Sequence, residues 1–540
     1  MRNHVSCRTP DKPILPYRVL DLGDPTKPSG PSVRLHSSLE AQRGEYAALS
    51  YCWGGPQSIQ TTRSTIDTFS KGLDLRICSQ TIQDAVVVTR GLGIQYLWID
   101  ALCIIQGQAS DKMHEIASMG KIYKNATVTI SAANSRSAQD GFLKYQKRGV
   151  SVQTALLCRA SNQEVLPENS DLSRNGPYGK VWLELERVQD HSTEPLSQRG
   201  WAFQEQVLSL RLLQYGSEGV TWHCLDVDKT VPVMHSFVRY KPRSKASRPA
   251  ILRRTGHNRR GIGYQLWSEM IEDFSNRHLT VPEDRLLAIA GIASELHELS
   301  KDTYLGGLWQ EDLVRQLGWR QKEGDERATR PLSRTPSAPS WSWASVDGGI
   351  EFGGRYSAAA AGRVLPRPLP EHLYPEAILR SCIVHPRKSS APFADIDSGR
   401  LVLSAKLIKG PHPSALKSST ADEIRAEMNI TVENALVGTW HPHAEDVLDI
   451  TLDQDTETGA THFSIDSRRV VRGNRIFSSA AWYLLLAYCF NESPIGLILV
   501  NDGKDRFRRI GYFQSKDPSH PPLSFNQHFK KVRTRDVVIV

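Results

Sequence analysis

The residues best suited to chemistry in this 540-residue chain are two carboxylates and a tryptophan-glycine turn. Trp201 and Glu205, in the stretch GWAFQEQ, stand at i and i+4. On a helix they share one face, with Leu208 beside it and Phe203 pointing elsewhere. A carboxylate beside an indole in a partly apolar cleft has its ionisation tuned by desolvation. Such a fixed carboxylate is the group that stabilises an oxocarbenium-like transition state, as in glycosidases. Glu205 also has a structural reading, an ion pair with Arg199 or Arg211 that fixes the helix. Asp100, which closes the apolar run YLWID, has two readings as well. It hydrogen-bonds a ligand hydroxyl, or it caps the next helix or pairs with a buried arginine.

The third group is the end of EYAALSYCWGG, residues 45–55. A short apolar strand stops at Ser50 and runs into Trp53, Gly54 and Gly55. In an open parallel α/β sheet, ligands bind beyond the carboxyl ends of the strands. There the two glycines let backbone amides approach a phosphate or ribose, Trp53 offers a flat surface for a base, and Asp100 lines the same edge. The alternative is a tight turn with a core tryptophan.

These groups need elements to position them. YAALSY, YLWID and ATVTISAA (126–133) read as strands, with helices over 79–93 and 110–123, the second capped by Ser110. Strands alternating with helices at this spacing predict βαβ units in a parallel sheet covered on both faces. A polar insertion with a strand pair occupies about 134–195, and the helix of Trp201 then leads into a short strand and GVTWHC. His223 and Cys224 alternate in facing and cannot chelate one metal from one side, so no metal is expected. The expected division is a lead-in over 1–43, a first domain over 44–225, a basic loop over 226–260, a helical extension over 261–350, a linker over 351–373 and a β-rich domain over 374–540. In the extension, Trp309, Trp341 and Trp343 are expected to seal the helices onto the first domain.

Composition narrows the classes. Hydrophobic content of 39% is that of an ordinary globular protein, and no apolar run is long enough for a membrane span. The amino terminus has no apolar core of a secretory signal, and the eight cysteines are scattered without metal-ligand spacing, which predicts an intracellular protein with buried thiols. The net charge of +9 equals the nine Lys and Arg between Arg239 and Arg260, a stretch without an acid. Such a run reads first as a solvated loop, and nucleic-acid binding or nuclear localisation is the lesser alternative. Phosphate-loop, nucleophile-elbow and dinucleotide fingerprints are missing, and HEIAS at His114 has Ser118 where a zinc protease needs a histidine.

Several segments in order resemble one family. YAALSYCWGG, YLWIDALCIIQ with MGKIYKNATVTISAA, and LSQRGWAFQEQVLSLRLLQYG are similar to the three blocks of the fungal heterokaryon incompatibility (HET) domain. LTVPEDRLLAIAGIA, YLGGLW and PSWSWASVDG resemble an extension found in long members of that family. The chain departs from the common pattern at Ile105 and Gly107, where many members carry acidic residues or Asn. The resemblance implies fungal self/non-self recognition after cell fusion, with growth arrest or programmed cell death as output.

The family is itself distantly similar to the Toll/interleukin-1 receptor (TIR) fold, some of whose members hydrolyse NAD. The implied fold class is α/β: a TIR-like (flavodoxin-like) parallel sheet with an insertion, then a helical extension and a β-rich C-terminal domain. The implied chemistry is NAD cleavage with Glu205 or Asp100 as the carboxylate and Ser50, Trp53, Gly54, Gly55 and Trp201 around the nucleotide. NAD enters as substrate, and no cofactor is otherwise implied. The implied partners are a second copy through the HET domain and an incompatibility partner protein, in the cytoplasm. A non-enzymatic assembly module stays open beside the enzyme.

Overall fold

The structure is a computed structural model that describes residues 12–24, 33–143, 154–159, 178–183, 194–217, 219–224, 228–231, 259–322, 325, 327, 338–352, 374–389, 391–411, 447–452, 462–466, 480–489, 493–503, 506–515, 526 and 529–540. Of the basic run, residues 239–258 lie outside this set, as do residues 353–373 of the expected linker. The chain forms two compact units. The first comprises Met1–Lys112, Ile122–Ser197 and Ser209–Ser244, and the second Met113–Lys121, Gln198–Leu208 and Lys245–Val540.

The first unit is built on an eight-stranded sheet. Its strands are β1 (Arg18–Asp21), β2 (Arg34–Ser37), β3 (Tyr46–Ser50), β4 (Tyr96–Trp98), β5 (Val128–Ser131), β8 (Arg211–Gly216), β9 (Gly219–Cys224) and β10 (Asp228–Val231). β6 (Thr154–Arg159) and β7 (Tyr178–Leu183) form a separate antiparallel pair within the predicted insertion. The order is β10-β9-β8-β5-β3-β4-β1-β2. The four middle strands are parallel, so that in chain order they lie second, first, third, fourth. Every residue of β3 and β5 is buried, as expected of strands covered on both faces.

The sheet differs from the expected all-parallel one at its flanks. β1 and β2 pair antiparallel beside β4, and β9 and β10 do so beside β8. Only two residues separate β8 from β9 in the sequence, a connection too short for anything but antiparallel pairing. On β1, Asp21 is buried yet satisfied by Arg34 at 3.0 Å, Gln95 at 3.1 Å and the Gly23 amide at 3.1 Å. Burial raises its pKa, and these hydrogen bonds more than reverse that, leaving the carboxyl below its ordinary value.

Five helices belong to the region of the sheet strands: α1 (Ile66–Lys71), α2 (Gln80–Gly91), α3 (Asp100–Cys103), α4 (Ala109–Asn125) and α5 (Gly200–Leu208). Two local expectations change. Ser110 lies inside α4, which is capped by the extended Gln108. Asp100 opens α3 rather than ending β4, and its Oδ1 accepts the Ala101 amide at 2.7 Å. A carboxylate in a first helical turn is favoured by the unpaired amides there. The last turn of α4 is tied to the sheet by Tyr46 Oη donating to the Ile122 carbonyl (2.6 Å) and Tyr123 Oη to that of Leu49 (2.9 Å).

The second unit gathers α5, α6 (Arg259–Ser275) and α7 (Ala290–Ser300) with a ten-stranded sheet drawn from Tyr374 to Ile539. That sheet is antiparallel except where Arg506–Ser515 meets Arg535–Ile539. Two 3-10 turns, Pro282–Arg285 and Leu287–Ile289, precede α7 within the expected helical extension. Trp267, Trp309, Trp319, Trp341 and Trp343 are fully buried here. The indole N–H groups of Trp267 and Trp343 both donate to the Gly307 carbonyl at 2.9 Å. Trp309, Trp341 and Trp343 thus lie inside the core of the second unit, where the sequence predicts a seal onto the first domain. The same core runs on through Leu401, Leu403, Leu484, Leu497 and Tyr512 of the β-rich part.

Candidate functional site

The carboxyl ends of β3, β4 and β5 carry the candidate residues of the first unit. Between β3 and β5 the strand order reverses direction, the place where open α/β sheets leave a crevice. Trp53 and Asp100, 47 positions apart, are brought together: the indole Nε1–H donates to Asp100 Oδ2 at 2.8 Å. Both side chains are half-buried. With Ala101 on its other oxygen, the carboxylate is held in a fixed orientation, and the indole plane is fixed with it.

The loop after β3 docks on the loop after β5. Ala138 donates its amide to the Trp53 carbonyl at 3.2 Å, and Asp140 Oδ2 accepts the amides of Arg136 and Ser137 at 2.8 and 2.9 Å. Gly54 makes that approach possible. Its φ is +70°, and a Cβ there would stand 2.6 Å from the Ser137 Cα. Gly55, at φ +144°, has no atom within 4 Å of the corresponding position. Gly54 is thus filled by chain packing, and Gly55 is the open one. Gly54→Ala combines left-handed strain with overpacking and is expected to cost about 3 kcal/mol. Gly55→Ala meets no neighbouring atom, so whatever it costs is backbone strain alone. Thermal melts check the Gly54→Ala loss, and a loss no larger than the ~1–2 kcal/mol of left-handed strain would mean that the Ser137 contact contributes nothing.

Ser50, at the last position of β3, is fully buried. It pairs in register with Ser131 on β5, which pairs in turn with Gln214 on β8. Three polar residues therefore cross three parallel strands at the same level. Only Ser50 is legible as a candidate in the sequence. The signal for Ser131 is a polar residue closing an otherwise buried strand.

Trp201 and Glu205 both lie on α5, in the second unit. Glu205 is buried and Trp201 half-buried against the aromatic core. Phe203, Val207 and Leu208 sit within that core. Neighbouring Gln204 accepts the Gly291 amide of α7 on its Oε1 at 2.7 Å. A Cβ on Gly120 of α4 would stand 2.8 Å from the Gly291 Cα, so the two helices cross through glycines. Arg211, one of the two predicted partners of Glu205, donates through Nη1 to the Thr127 carbonyl at 3.1 Å.

Residues 46–205 match the family described as heterokaryon incompatibility protein (HET). That segment, 46–205 of the 540 residues, is HET-like in sequence. No curated protein and no solved structure gives a significant match. The HET match opens on β3 and closes at Glu205, so it takes in the Trp53–Asp100 clasp and most of α5. It leaves out β1, β2, β8, β9 and β10, which complete the sheet, and the aromatic core after residue 205 that buries α5. Among the described residues, no helix is long and apolar enough to cross a membrane.

Proposed function

We propose that this HET-domain protein acts in fungal heterokaryon incompatibility and binds a nucleotide at the carboxyl edge of its parallel strands, where it cleaves the nicotinamide–ribose bond of NAD. The observation that carries the reading is the Trp53–Asp100 clasp at the point where the strand order reverses. It puts a fixed ring and a fixed carboxylate where flavodoxin-like sheets bind nucleotides. The second-first-third-fourth order of the parallel strands supports the TIR-like fold, because flavodoxin-like sheets begin in that order. Asp100, the carboxylate on that edge, would stabilise the cation developing on the ribose, and Glu205 on α5 is the other carboxylate that the sequence offers for this role. Growth arrest or cell death would follow from loss of the nucleotide, and self-association through the HET domain in the cytoplasm would assemble the active form. The domain division predicted from the sequence is proposed on the same footing.

The burial of Glu205 favours a second reading, an assembly module whose signal is carried by partners. Nicotinamide release from NAD by the purified full-length chain separates the two. Under the enzymatic reading, Glu205→Gln removes the charge with little change of shape and should slow release about 100- to 1000-fold. Asp100→Asn serves as the parallel variant. Equal turnover by wild type and Glu205→Gln moves the role to Asp100. No release by wild type in any assembled state leaves the assembly module.

A further inference from the structure

Register fixes which side chains share a face of the parallel sheet. Ala48 lies opposite Trp98 of β4 and Thr129 of β5, and Ser50 lies opposite Ser131. Residues two apart on a strand point the same way. Trp98, Ser50 and Ser131 therefore share one face, the one on which Trp98 meets the Tyr123 ring of α4 at 5.6 Å. All three residues are fully buried. Among the described residues, Trp98 Nε1, Ser50 Oγ and Ser131 Oγ have no hydrogen-bond partner. Strand spacing puts Trp98 and Ser50 within about 8 Å of each other at the backbone. Buried polar groups are nearly always paired, and leaving three unpaired on one face costs stability that a ligand would return.

Deepening the nucleotide reading on which it rests, we propose that this polar row seats a neutral primary amide, the carboxamide of nicotinamide. The donor and acceptor pattern selects it. An indole N–H only donates, so it requires an acceptor, and a serine hydroxyl accepts as well as donates. A carboxamide supplies its carbonyl to Trp98 and its NH2 to the two serines. The row itself holds no charged side chain, so a phosphate or carboxylate there would be desolvated without a counter-charge. The three atoms are shut off from solvent, so the cover has to part for entry, and association runs well below the diffusion limit.

The experiment is a thermal-unfolding and calorimetric titration of the full-length chain with nicotinamide and with nicotinic acid. Nicotinamide is expected to raise the melting temperature saturably, and nicotinic acid to leave it unchanged. The double variant Ser50→Ala/Ser131→Ala should melt at or above wild type without ligand, because it loses unpaired hydroxyls. Its nicotinamide affinity should fall about tenfold or more, the loss expected for two neutral hydrogen bonds. The proposal is overturned if wild type does not bind nicotinamide, if nicotinic acid binds as well, or if the double variant binds nicotinamide unchanged. A double variant that melts several degrees lower without ligand also overturns it, because the hydroxyls would then have a structural partner. Wild type that binds nicotinamide but releases none from NAD upholds the row while removing the hydrolysis. Wild type that hydrolyses NAD, beside a double variant that does so equally well, removes the row and leaves the hydrolysis.

Discussion

A chain cut after Ser244, the last residue of the first unit, is expected to lose its cooperative melting transition and to aggregate. The cut keeps the whole HET match but removes the core in which α5 is buried. Phe203, Val207 and Leu208 are at most 5% exposed in the intact protein. Returning three such side chains to water costs about 5–9 kcal/mol, comparable to the ~5–15 kcal/mol that holds a whole domain together. The Gly120 turn of α4 loses its crossing with Gly291 in the same step. Circular dichroism melts and gel filtration of the truncated and full-length chains provide the check. A truncated chain with a sharp transition near that of the full chain would show that α5 is dispensable to the fold. For the same reason, the proposed self-association is to be tested on the full chain.

Replacing Arg509 by alanine is expected to lower the melting temperature of the full chain by about 5 °C or more. Arg509 lies on the strand Arg506–Ser515 and is 2% exposed. Its guanidinium carbon stands 3.5 Å from the centre of the Trp319 ring, and Nη1 and Nη2 donate to the carbonyls of Leu317 and Trp319 at 2.7 and 2.5 Å. Its amide donates to Ser340 Oγ at 3.1 Å. One side chain thus joins the β-rich sheet to the Trp-rich segment within a single core. Alanine strips two buried carbonyls of their donor, at about 1–3 kcal/mol each, and removes the stacked cation as well. For a unit of about 300 residues each kcal/mol is worth about 1.5 °C. Arg509→Lys keeps the charge but not the planar fork, and should recover only part of the loss. A shift of a degree or two for the alanine variant would mean that water reaches those carbonyls.

The strands that carry the Trp53 turn were legible because burial on both faces gives short unbroken apolar runs, as in YAALS and VTIS. β1 was only partly legible, since its Arg18 and Asp21 look solvent-bound and are in fact buried and hydrogen-bonded. Asp100 was visible as a candidate, but its clasp with Trp53 was not, because sheet pairing and not sequence distance brings positions 53 and 100 together. Ser131 was missed because a single hydroxyl among β-branched residues does not stand out in a strand. The assignment of α5 to the second unit was the least legible feature. Its pattern of Phe203, Val207 and Leu208 states that one face is buried, but not which later segment buries it.

That arrangement sets a timetable at the ribosome. The chain passes between the two units at residues 112, 121, 197, 208 and 244, so parts of α4 and all of α5 are synthesised well before their core. The buried faces of α5 wait for α6, α7 and the tryptophans up to Trp343. At about 5–20 residues per second, that wait is on the order of 10–30 s. Throughout it, the nascent chain presents an apolar helix with no core to receive it, a natural client for a chaperone that binds near the exit tunnel. Moving residues 46–205 alone between genes is therefore expected to leave α5 without the core that buries it.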